Sequence, residues 1–142
     1  MKIWTFKVFI KSNGHDDFED WIADLDADSE EKIRARLDLM MITKEWRRPY
    51  FDILHGYKHI YEIIIKGRNN KQYRPLGCFG PGLQLFTLLI GATKESKNRK
   101  VIWDPPNAPK IAEQRCKLVF EDRRHINEYR PRERKPWEAF KQ

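Results

Sequence analysis

Residues 3–10, IWTFKVFI, alternate, with Trp4, Phe6, Val8 and Ile10 on one side, and this period of two predicts a strand. SNGH at 12–15 ends it with turn chemistry. From Asp16 onward the apolar positions become Phe18, Trp21, Ile22 and Leu25, the spacing of one helix face, and acids in the first turn suit the positive end of the helix dipole. DADSEE breaks that pattern, and either Asp28 with Glu31 or Ser29 alone can cap a second helix with Ile33, Leu37, Met40 and Met41 inward. A turn this tight predicts antiparallel helices. The second helix ends around Trp46 and Pro49, and YFDILHGYK is a connection with room for a short strand.

HIYEIIIKG, residues 59–67, predicts a strand with Tyr61, Ile63 and Ile65 on one face and Ile60, Glu62, Ile64 and Lys66 on the other. QYRPLGCF is a poorer strand, punctuated by Pro75 and Gly77 and expected to bulge there. GPG at 80–82 is a turn, and LQLFTLLIG is again strongly β. Three strands joined by short turns make an antiparallel meander. After Gly91 the chain turns polar and basic; WDPPNAP is a proline break, and a helix is expected over about 109–127. The predicted class is α+β, with helices on one face of an antiparallel sheet. A single domain over 1–128 and a basic, proline-punctuated tail over 129–142 complete the organisation.

Charge adds direction to this picture. The 28 Lys and Arg against 21 Asp and Glu leave +7, with a pI near 9.5, which favours an acidic partner such as nucleic acid, an anionic membrane surface or an acidic protein. Residues 12–31 contain nine acids and no Lys or Arg, so the basic charge is concentrated in the rest of the chain. Cys78 and Cys116 have no close spacing, and a reduced, cytoplasmic protein is the default expectation. No apolar run approaches the roughly 20 residues that span a bilayer, so no membrane partner is expected.

The element order, together with Tyr61-Glu62, Tyr73-Arg74, the Gly80-Pro81-Gly82 turn and Leu89-Ile90-Gly91 followed by Lys94-Glu95-Ser96, resembles the RelE/ParE superfamily of toxins from bacterial and phage toxin–antitoxin pairs. The resemblance covers about residues 3–100 and comes closest to the HigB-like and related phage-derived branches. It implies a RelE-like α+β fold, an N-terminal strand, an antiparallel helix pair, a three-stranded meander and a C-terminal helix. It also implies a metal-independent endoribonuclease acting on mRNA, at the ribosome, with no cofactor and with a small cognate antitoxin as partner. The chain departs from the pattern in places: Ile90 stands where His is frequent, and Glu62 and Ile64 stand where the mRNA-cleaving RelE branch has lysines.

RNA cleavage by the neighbouring 2′-hydroxyl needs a base, cations for the extra charge of the phosphorane and an acid for the leaving 5′-oxygen. Arg suits the second task because its planar fork donates two parallel hydrogen bonds to phosphate and stays charged. Arg74 is the expected phosphate clamp, with Lys66, Lys94 and His59 as the other catalytic candidates. Arg68, Lys71, Tyr73, Lys97 and Arg99 are the expected RNA-binding residues. His55 and His59 are spaced i, i+4, but they flank Gly56 and no third ligand lies nearby, so no metal site is expected. Two alternatives stand beside the nuclease: a ParE-like toxin that inhibits a topoisomerase by binding it, and a basic nucleic-acid-binding domain without toxicity. An Arg74 buried against a carboxylate, or pointing away from Lys66 and Lys94, would remove the nuclease reading and leave only the architecture.

Overall fold

The computed structural model describes residues 1–131. The chain runs β1 (Thr5–Phe9), α1 (Asp17–Ala23), α2 (Ala27–Met41), β2 (Phe51–Ile53), β3 (Tyr61–Ile63), β4 (Ile65–Lys66), β5 (Lys71–Tyr73), β6 (Leu76–Phe79), β7 (Leu85–Ile90), β8 (Thr93–Lys97), β9 (Lys100–Asp104), α3 (Ala108–Glu121) and β10 (Ile126–Glu128). The architecture is α+β and consistent with a RelE-like fold. The basic tail expected beyond 128 falls mostly outside the described residues.

Two sheets share the strands. One has the order β10-β1-β7-β6-β3-β2, the other β4-β5-β8-β9. β1 pairs parallel with β7, while β3-β6-β7 run antiparallel as the expected meander. The run read as one strand from 59 to 67 is split at Ile64, and its partner is split at Arg74-Pro75, so one ribbon belongs to both sheets. The break leaves few backbone groups unpaired. Ile63 N–H donates to the Pro75 carbonyl, Ile64 N–H to Tyr50, Arg74 N–H to Ala92, and the Arg36 guanidinium to the Ile64 carbonyl.

The ribbon closes through Arg68-Asn69-Asn70-Lys71, with Asn69 and Asn70 both at positive φ, 54° and 64°. That is the two-residue hairpin turn whose twist matches the strands, and Asn tolerates the left-handed region better than most residues.

The helices start where acids can cap them. Asp16 accepts from Glu19 N–H at α1, and Asp26, rather than Asp28 or Ser29, accepts from Ser29 N–H at α2. Asp26 won because its extended backbone sets the carboxylate before the first turn; Ser29, three residues on, adds a hydroxyl bond to the same carboxylate.

The core is in two parts, one on each face of the larger sheet. Phe18 and Ile22 of α1 with Ile33 and Leu37 of α2 cover Val8, Ile63, Phe86 and Leu88. Ala108, Ala112 and Val119 of α3 cover Leu76, Cys78 and Leu89 on the other. Helices therefore lie on both faces, not on one as expected. α3 also stops at Glu121, short of the expected 127. Asp122 is extended, accepts from the Arg124 N–H, and turns the chain through Arg123–His125 into β10, which pairs with β1.

Gly91 is where α1 meets the sheet. A Cβ there would overlap the Trp21 ring, so the close approach of the helix requires glycine.

Candidate functional site

The ribbon's shared strands bring the site together. Register sets Lys66 of β4 opposite Gln72 of β5, Gln72 opposite Lys94 of β8, and Lys94 opposite Trp103 of β9. Directly opposed residues share a face, so these four form one row across the smaller sheet. The next register row, Ile65, Tyr73 and Thr93, belongs to the opposite face, towards α1 and α2.

Arg74 follows Tyr73 and lies two residues beyond Gln72. Its guanidinium donates to a Glu62 carboxylate oxygen and to the Gln72 side-chain carbonyl. Lys94 Nζ lies 4.0 Å from the same Glu62 oxygen and 5.2 Å from the centre of the Trp103 ring. A carboxylate from β3 thus meets two cations, one just past β5 and one on β8.

Burial decides what this cluster can do at rest. Arg74 is 8 % exposed and Glu62 7 %. The expected free phosphate clamp is therefore a closed ion pair, with both terminal nitrogens of its fork engaged. The physical reason is desolvation: a guanidinium held this deep needs a nearby carboxylate. Arg74 Nε has no hydrogen-bond partner among the described residues. Lys94, with 27 % of its side chain exposed, is the cation of the cluster most open to solvent.

The other expected residues disperse. Tyr73, expected to bind RNA, is a core residue: it is buried and its hydroxyl lies 2.8 Å from Ser29 Oγ. Arg68 pairs with Asp28 at 3.2 Å on the surface. Lys71 lies beside an open cleft lined also by Asp20, Asp24 and Trp21. Lys97 and Arg99 are exposed at the β8–β9 turn. His59 lies in the exposed β2–β3 connection and lines a cavity with Cys78 and Cys116; it makes no hydrogen bond or ion pair with Arg74 among the described residues. Lys66 is exposed and shares a pocket with Lys32 and Arg36 of α2.

Glu62 and Trp103 are the members sequence reasoning did not put in the site. A carboxylate inside the apolar run YEIII is a signal, since such a group in a strand face demands a cation. Trp103 gave none, because β9 alternates too weakly to read.

Among the described residues no group of three or more His, Cys, Asp or Glu is placed to hold a metal, and no helix is long and apolar enough to cross a membrane. The family described as phage derived protein Gp49-like (DUF891) matches residues 20–117. No curated protein matches the chain, and no solved structure does.

Proposed function

Because the chain belongs to the phage-derived Gp49-like family, within the RelE/Gp49 group of toxin-like proteins, we propose that it is the toxin of a type II toxin–antitoxin pair and that it acts on RNA. The observation that supports this reading is the meeting of Glu62, Arg74 and Lys94 from three segments beside the row that carries Lys66. Cationic groups on a sheet face suit a phosphate backbone, and the net charge of +7 draws a polyanion towards it. A small acidic or amphipathic antitoxin is the partner this reading implies.

Metal-independent cleavage of mRNA at the ribosome has one requirement at this cluster: Arg74 must exchange Glu62 for a phosphate. The exchange leaves Glu62 free to take the 2′-hydroxyl proton, Arg74 on the phosphorane, and the Lys94 ammonium beside the leaving oxygen. Each well-placed donor supplies about 3 kcal/mol to such a transition state. A free clamp is the condition for cleavage, and the resting pair does not meet it. The closed pair favours a second reading, a ParE-like toxin that inhibits a topoisomerase by binding and cuts no RNA.

Inducible expression with mapping of cellular RNA 5′ ends separates them. The first reading expects growth arrest with RNA cut at defined positions, and cutting slowed at least ~10-fold in Lys94→Ala. Arrest with lost supercoiling and no new RNA ends selects the second. No arrest, with salt-dependent RNA binding, leaves a non-toxic nucleic-acid-binding domain.

A further inference from the structure

Lys32, Ala35, Arg36 and Leu39 share one face of α2, which looks across a pocket of about 600 Å³ at β4 and the turn at Tyr50. Lys66 also lines it, and no acidic side chain does. Neither Lys32 nor Arg36 forms an ion pair with another described residue. Lys32 and Arg36 stand i, i+4 on the helix, a like-charge spacing that weakens a helix unless a counter-charge comes between them.

Arg36 is the fixed point. Its Nη1 donates to the Ile64 carbonyl at 2.7 Å, and the guanidinium carbon lies 4.5 Å from the centre of the Tyr50 ring. Partial burial holds the guanidinium below its ordinary pKa, and Tyr50 offsets this only in part. A guanidinium held by a backbone carbonyl and an aromatic face is set in place before any ligand arrives.

We propose that this pocket between α2 and β4 is a phosphate-binding site, separate from the Glu62–Arg74 pair, with Lys32 and Arg36 as its cations and Tyr50 as the wall for the sugar or base attached to the phosphate. A phosphoryl group concentrates its charge on one centre and accepts from a planar fork and an ammonium group at once. The ligand chemistry is a phosphate ester, from an RNA backbone or a free nucleotide. The RNA source rests on the function proposed above; the phosphate site does not.

The test uses the full chain, Lys32→Ala, Arg36→Gln, and Lys110→Ala as a control for the loss of one exposed charge. Thermal midpoints are measured in sodium phosphate and in sodium chloride of equal ionic strength, and with a hexaglutamate peptide. The expected result is a rise of about 3 °C in phosphate over chloride for wild type and Lys110→Ala, absent in both pocket variants. Binding of a labelled ten-residue oligouridylate then identifies the source. A loss of roughly 10-fold in affinity in the pocket variants, with Lys110→Ala unchanged, assigns it to RNA. Unchanged RNA affinity with the phosphate shift intact assigns it to a free nucleotide and leaves the site standing. Three results overturn the proposal: no phosphate-specific rise in wild type, a rise that persists in Lys32→Ala, or an equal rise with hexaglutamate, which would make the pocket a seat for an acidic protein. Failure of wild type to bind RNA, with the phosphate rise present, counts against the function and not the site.

Discussion

Arg74 and Glu62 form an ion pair at less than a tenth of their free exposure, joining the segment after β5 to β3. Removing either partner strands the other charge away from water. Glu62→Leu and Arg74→Met are each expected to cost about 3 kcal/mol or more, and the double variant less than either single one. Urea denaturation of the four proteins checks this; additive losses would show that the pair is not coupled.

Tyr73 lies in the core with its hydroxyl against Ser29. Tyr73→Phe and Ser29→Ala should each cost about 1 kcal/mol, and Tyr73→Phe should leave RNA affinity unchanged. Denaturation and an oligoribonucleotide titration measure the two effects separately. A fall in affinity without a fall in stability would restore Tyr73 to the binding surface.

Much of the fold was legible because burial leaves a period. Trp4 to Ile10, Phe18 to Leu25 and the apolar run at 85–90 read correctly as strand, helix and strand. The β8–β9 hairpin did not, since Thr93–Lys97 and Lys100–Asp104 contain no fully buried residue and so show little alternation. α3 on the second face was missed for a related reason: Leu76, Cys78 and Leu89 point away from α1 and α2, and nothing in their types says which helix covers them. Of the residues gathered at Glu62, Arg74 and Lys94 were expected from their place in a resemblance, and the fork's partner was not. A lone carboxylate between isoleucines could have raised the question of what neutralises it.

Cys78 and Cys116 face each other across β6 and α3 and line one cavity. Interaction with Cys116, and then burial, push the Cys78 thiol up; the same interaction pulls the Cys116 thiol down against its own burial. Cys116 should therefore alkylate first with iodoacetamide in the folded protein, with Cys78 reacting only on unfolding. Peptide mass spectrometry reads the order. Equal labelling at early times would show that the two thiols do not interact.

Asp122 is held at about 2, well under its ordinary 3.8, first by the Arg124 side chain and then by the Arg124 backbone N–H. A depressed carboxylate adds stability that is complete above about 4 and is lost as pH falls towards 2. Wild type should be more stable than Asp122→Asn at pH 5, and the gap should close between pH 4 and 2. Thermal scans across that window decide it, and a gap that stays constant would remove Asp122 from the acid response.

The ribbon split at Ile64 and Arg74 has a mechanical consequence. Its tip, the Asn69-Asn70 turn, extends from two fixed collars, the Arg36 bond to the Ile64 carbonyl and the Arg74 N–H bond to Ala92. A load applied to the tip is delivered to α2 through one collar and to the link between β7 and β8 through the other. Whatever grips the hairpin therefore pulls on α2 and on the sheet at once.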